Sequence, residues 1–153
     1  MKIQDGFTID APAADVWALL SDPARVATLL PGAKMGDRIE DNTYSGGMFV
    51  KVGPLAVAYD GTVSFQLDEA ERSVEVRARG RGKRGMGTAD MTMTSQVVAH
   101  GDTRTEVTID SDVVVTGILA QMGRGMIQVV SKKMLQEFVG NLTTALAQPA
   151  EEG

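Results

Sequence analysis

Cysteine is absent from the 153 residues, which excludes disulfides, thiolate nucleophiles and cysteine-based zinc sites. Histidine occurs once, as His100, in the turn-like stretch Ala99-His100-Gly101-Asp102. An exposed hairpin tip is the expected place for it, away from the inward partner that a catalytic dyad needs. No grouping of His, Asp and Glu has metal-ligand spacing, so neither a metal nor a covalent cofactor is expected. Gly80-Arg81-Gly82-Lys83-Arg84-Gly85 has the outline of a dinucleotide glycine motif, but it does not lie between a strand and a helix and is set aside. No run approaches the roughly 18 consecutive apolar residues of a membrane span. The opening MKIQDGFTID lacks the apolar segment of a signal peptide. A net charge of −5 argues against nucleic acid as a partner. Aromatic residues are few, at 5%, whereas methionines number nine and glycines 17. Methionine is the flexible filler of irregular apolar space, so this balance suits an adaptable interior.

What is present reads as one domain over residues 1–148, followed by a short polar tail at 149–153. Lys2 to Ile9 is predicted as a strand. Asp10 can cap a short helix over Ala14 to Leu20 with Pro12 in its first turn, and Asp22 can cap a second over Ala24 to Leu29. Pro31-Gly32 ends the helical pair, and a meander of about six strands follows, punctuated by Asp41-Asn42, Gly53-Pro54, Asp68–Arg72, Arg84–Gly87 and His100–Asp102. Its clearest member runs Leu55, Val57, Tyr59, Gly61, Val63, Phe65 and Leu67 in strict alternation with polar or small residues. Gly117 to about Ala147 is predicted as one long helix. Ile127, Val130, Met134, Phe138, Leu142 and Ala145 share a face, while Lys132, Lys133, Gln136, Glu137 and Asn141 fall elsewhere. A rod of roughly 30 residues spans about 45 Å, long enough to cross the whole domain. The expected class is therefore α+β, a curved antiparallel sheet wrapped around a C-terminal helix.

The inward face is small and soft. In the predicted strand from Ser73 to Lys83, the alternation puts Val74, Val76, Ala78, Gly80 and Gly82 inward and Glu75, Arg77, Arg79, Arg81 and Lys83 outward. Ala89, Met91, Met93 and Ser95 take the inward slots of the next strand, as Gly46, Met48 and Val50 do in an earlier one. Native interiors are close-packed, so this shortage of volume points to an enclosed apolar cavity, although strand glycines can equally mark bulges or curvature. The basic run Arg77, Arg79, Arg81, Lys83 and Arg84 has Asp60, Asp68 and Asp90 on neighbouring strands. Cross-strand pairing on a solvated face explains most of it, with docking to an acidic protein or an anionic membrane as the alternative. Few carboxylates face inward, which favours a binding protein over an enzyme. An enzymatic reading would have to draw on Tyr59, Ser95, Ser111 and Gln121.

Several pieces together resemble one family. Pro12 with Asp15-Val16-Trp17, Leu20 through Asp22-Pro23, and Leu30-Pro31-Gly32-Ala33 form the first part. Val50-Lys51-Val52-Gly53-Pro54 followed by Tyr59 and Gly61, then Gly117 with Leu119-Ala120-Gln121 and Gly123, form the second. Over nearly all of residues 1–147 the chain resembles the carbon monoxide dehydrogenase CoxG family, within the START/Bet v 1-like (SRPBCC) helix-grip superfamily. The resemblance implies a seven-stranded grip with two short helices after the first strand. It also implies a cytoplasmic, non-catalytic accessory role beside a CO dehydrogenase-type molybdenum hydroxylase, with transient contact at the inner face of the membrane. A cavity in such a protein suits a lipophilic molecule, with a membrane quinone as first candidate. Docking without a ligand, or a cyclase- or hydratase-type activity, are the competing readings. The expected ligand-binding residues are Met48, Tyr59, Val63, Phe65, Val76, Ala78, Gly80, Met91, Met93, Met122, Met126 and Val130. Leu29, Leu30, Pro31, Gly123 and Gly125 are the expected gate, and replacing both of these glycines by alanine is expected to stabilise the protein slightly.

Overall fold

In the computed structural model, residues 1–147 are described; residue 148 and the predicted tail 149–153 lie outside the described residues. The chain order is β1 (Lys2–Ile9), α1 (Ala13–Leu20), α2 (Pro23–Leu29), β2 (Ala33–Glu40), β3 (Thr43–Val52), β4 (Leu55–Asp68), β5 (Ser73–Gly82), β6 (Thr88–Ala99), β7 (Thr105–Val115), α3 (Ile118–Gln121) and α4 (Gly123–Ala147). The strands form one antiparallel seven-stranded sheet in the order β1-β7-β6-β5-β4-β3-β2. Each of β2 to β6 pairs with the next strand in sequence, and β1 pairs with the last. Such a sheet has one apolar face to bury, and the helices cover it.

The strand parity read from the sequence holds. On β4, Val57 and Tyr59 are buried while Asp60 is exposed; on β5, Val74 and Val76 are buried while Arg77 and Arg81 are exposed. Three local expectations are corrected. Asp10 makes no cap for α1: Pro12, extended at φ −63 and ψ 145, itself stands at the N-cap position. Its ring holds the extended φ of that position, and its carbonyl accepts from the Asp15 and Val16 amides at 3.0 and 3.1 Å. β5 ends at Gly82, one residue short of its predicted end, and Lys83–Gly85 form a single 3-10 turn. The long C-terminal helix is also broken. α3 ends at Gln121, and α4 starts at Gly123, whose φ of +84 lies in the left-handed region. Only glycine adopts that conformation without strain, so Gly123 marks a kink between two helices and not a weak point inside one. Asp22, by contrast, does cap α2, accepting from the Arg25 amide at 3.5 Å, with Pro23 in the first position.

The main core lies at one end of the sheet. Ile9 of β1, Val16, Trp17 and Leu19 of α1, Val97 of β6 and Val107 of β7 pack with Phe138 and Leu142 from the C-terminal half of α4. Val16 and Leu142 are fully buried. Trp17 Nε1 donates to Glu69 Oε1 at 3.1 Å and ties α1 to the β4–β5 turn, and the buried Thr105 hydroxyl donates to the Ala11 carbonyl at 2.6 Å. At the other end a smaller group, Val57, Tyr59 and Leu119, is buried beneath α3.

Candidate ligand-binding cavity

Sheet register places small residues in a line across the strands. Gly46 of β3 stands opposite Gly61 of β4, Gly61 opposite Gly80 of β5, and Gly80 opposite Ala89 of β6. No residue in this row has more than a methyl group. The strands also crowd one another there: a Cβ at position 61 would come within 1.7 Å of the Arg79 carbonyl oxygen, so nothing but glycine fits. The row crosses the inward face beneath the first half of α4 and is part of the floor of a cavity of about 370 Å3. That volume lies within the roughly 300–1,000 Å3 range of small-molecule sites.

Around the row stand larger, mostly flexible side chains. Met48 of β3, Tyr59, Val63 and Phe65 of β4, and Val76, Ala78 and Gly80 of β5 line the cavity, as do Met91 and Met93 of β6. Met122 from the α3–α4 junction and Met126 and Val130 from α4 close it from above. Pro23, Val26, Ala27 and Leu30, from α2 and its end, form a side wall. Met126 lines the cavity and is 41% exposed, so the wall under this part of α4 reaches solvent. Of the residues expected at a gate, Leu30 borders the cavity. Leu29 does not; like Leu30 it packs against the main core, and its carbonyl accepts from Asn141 Nδ2 at 2.8 Å. Pro31, Gly123 and Gly125 are not among the cavity's lining residues. Pro23, Val26 and Ala27 of the α2 wall, with Met35 and Ile127, were not among the expected site residues; the hydrophobic positions of α2 were the available signal.

The lining is almost entirely apolar, and its polar exceptions are specific. Thr62, Arg79 and Asp90 border the cavity but stand on the outward parity, where Arg79 and Asp90 pair at 3.4 Å. Lys34 and Ser131 border it from β2 and α4. Of the residues named for an enzymatic reading, Tyr59 lines the cavity, and Ser95, Ser111 and the exposed Gln121 do not. Burial pushes the Tyr59 phenol above its ordinary value of 10.0, so it is a neutral hydroxyl at physiological pH. Among the described residues no group of three or more His, Asp and Glu is placed to hold a metal ion. No helix among them is long and apolar enough to cross a membrane.

The outer face resolves part of the basic run. Arg79 pairs with Asp90, and Lys83 lies 3.6 Å from Asp60. Asp68, expected as a third partner, stands opposite Ser73 and reaches none of these cations, because it belongs to the far end of β4. His100 is exposed and sits 2.8 Å from Glu106.

Comparison with known proteins gives a family and a fold. The family model for CoxG of carbon monoxide dehydrogenase matches residues 6–147. No curated protein sequence matches the chain. Among solved structures, a conserved protein from Geobacillus kaustophilus superposes with a TM-score of 0.86 at 18% identity, over 96% of this chain and 95% of that one. The Zhui aromatase/cyclase from Streptomyces sp. R1128 gives 0.70 at 16% identity, over 95% and 93%. A START superfamily protein from Mycobacterium smegmatis gives 0.65 at 14% identity, over 95% and 96%. At these identities the likeness is one of fold, the START-type helix grip expected from the sequence.

Proposed function

The chain belongs to the carbon monoxide dehydrogenase CoxG family, and on that premise we propose that it is a non-catalytic accessory protein that carries a lipophilic small molecule, with a membrane quinone as first candidate. In this reading it serves a CO dehydrogenase-type molybdenum hydroxylase at the inner face of the membrane. The observation that carries the proposal is the cavity over the Gly46–Gly61–Gly80–Ala89 row, roomy and lined by apolar and thioether side chains. Such a lining rewards burial of hydrocarbon at about 25 cal/mol per Å2 and offers few polar groups for bond-making chemistry. Methionines at the wall let one cavity adapt to a ring and to a tail.

Charge distribution supports the membrane step. The segments that supply the helical side of the cavity, 23–36 and 113–136, carry Arg25, Lys34, Arg124, Lys132 and Lys133 and no Asp or Glu, in a chain whose net charge is −5. Val129, 62% exposed, and Met126 lie on the same stretch of helix. These cations and protruding apolar side chains, on segments bounded by Asp22, Asp37, Asp112 and Glu137, suit anionic lipid head groups, each nearby cation adding about 1 kcal/mol. The test of the carrier reading is organic extraction of the purified protein followed by mass spectrometry, with quinone titration of the stripped protein. A co-purifying lipophile, or saturable quinone binding at one site, is expected. A protein that yields no lipophile and also fails to bind the quinone overturns the reading.

A further inference from the structure

Beside the cavity, one buried polar atom is out of keeping with its surroundings. Tyr59 is only 6% exposed, and its hydroxyl is the one buried side-chain N or O atom among the described residues that has no hydrogen-bond partner. The apolar side chains grouped with it include Leu119, Met86, Met122 and Val130. Its ring is held in place from below. A Cβ added at Gly80 would stand 3.2 Å from Tyr59 Cβ and 3.6 Å from Cδ1, so the missing side chain at 80 is the seat of the tyrosine ring. A hydroxyl buried without a partner forfeits its hydration and gains nothing in return, and a phenylalanine would fill the same seat without that loss. The group therefore stands as a donor awaiting an acceptor, and its raised pKa keeps the proton on it.

We propose that Tyr59 is the polar anchor of the cavity, its hydroxyl donating a hydrogen bond to a neutral carbonyl-type oxygen on the head of the bound lipophile. This deepens the carrier reading above and rests on it. It fixes the direction of the ligand: head group toward α3 and the Tyr59 end, hydrocarbon along the glycine row and out past Met126. The hydroxyl is closed off by the side chains around it, of which Met86 and Met122 are unbranched thioethers that swing aside cheaply. The arriving oxygen displaces one of them and offsets the desolvation of the phenol.

The experiment compares two probes of similar size, decyl-substituted benzoquinone and decylbenzene, on the wild-type protein and Tyr59→Phe. Tyr59→Phe is expected to weaken the quinone about tenfold and leave decylbenzene unchanged. Infrared difference spectra give a second readout that folding alone does not move: the carbonyl band of the bound quinone is expected lower in the wild type than in the variant. Equal affinities for the quinone in both proteins, or the same carbonyl band, overturn the anchor while leaving the carrier reading intact. Failure of the wild type to bind either probe overturns both.

Discussion

The two halves of α4 sit over the same sheet and do opposite things. The C-terminal half drives Phe138 and Leu142 into α1, β1 and β7, where the facing residues are Ile9, Val16, Trp17 and Val107. The N-terminal half spans Gly46, Gly61, Gly80 and Ala89, which offer it almost no side chain to pack against. The C-terminal half is part of a close-packed interior, and the N-terminal half is the roof of a cavity. The difference lies in the sheet and not in the helix, since both halves of α4 carry apolar residues at helical spacing. One end of the domain thus stores the stability that lets the other end stay under-filled.

The contrast is broken most severely by attacking the filled half. Leu142→Ala removes a fully buried side chain from the main core and is expected to lose about 2–5 kcal/mol in urea unfolding. Met126→Ala, at a position 41% exposed over the cavity, is expected to lose less than about 1 kcal/mol. Equal losses at the two positions would erase the distinction. Filling the empty half is the complementary change. Ala78→Phe projects a ring into the cavity and is expected to reduce quinone affinity at least about tenfold, with the circular dichroism spectrum and Tm nearly retained. Undiminished affinity would put the ligand elsewhere.

Smaller effects sharpen the boundary between the halves. Gly123→Ala places a side chain at a φ of +84 and is expected to destabilise by about 1–2 kcal/mol. Gly125→Ala, helical and with open space around its Cβ, is expected to stabilise by up to about 1 kcal/mol. Two stabilising alanines would restore the uninterrupted helix that the sequence pattern suggests. The smallest effect is alkaline. Because the folded pKa of Tyr59 is raised, its contribution is intact below the unfolded value of 10.0 and is lost as pH rises through the folded value. Denaturant midpoints measured between pH 9 and 11 (roughly bracketing the ordinary phenol value) should fall less steeply in Tyr59→Phe than in the wild type.

Much of this is legible from single strands and helices. The alternation along 55–67 and 73–83 puts Val57, Tyr59, Val76 and Gly80 on the inward face, because strand period is a property of one segment. The alignment of Gly46, Gly61, Gly80 and Ala89 into one line is not legible, because register depends on turn lengths and pairing across four strands. The kink at Gly123 is hidden for a different reason. Apolar spacing continues through it from Leu119 to Ile127, and a helix pattern does not report the φ of one glycine. Leu29 and Leu30 are neighbours in sequence and suggest one gate, yet both pack against the main core and Leu30 alone of the two also borders the cavity. Gly80 suggests empty space, and the structure makes it in part the seat of the Tyr59 ring.

The most direct measurement is the location of a bound lipophile along α4. A decyl quinone bearing a photoactivatable diazirine on its tail, cross-linked to the protein and mapped by peptide mass spectrometry, is expected to label the cavity side, at Met126 or Met91, and excess unlabelled quinone should suppress that labelling. Labelling that excess quinone does not suppress, or that falls on the exposed outer-face residues Phe49, Val98 and Val114, would contradict a ligand site over the glycine row.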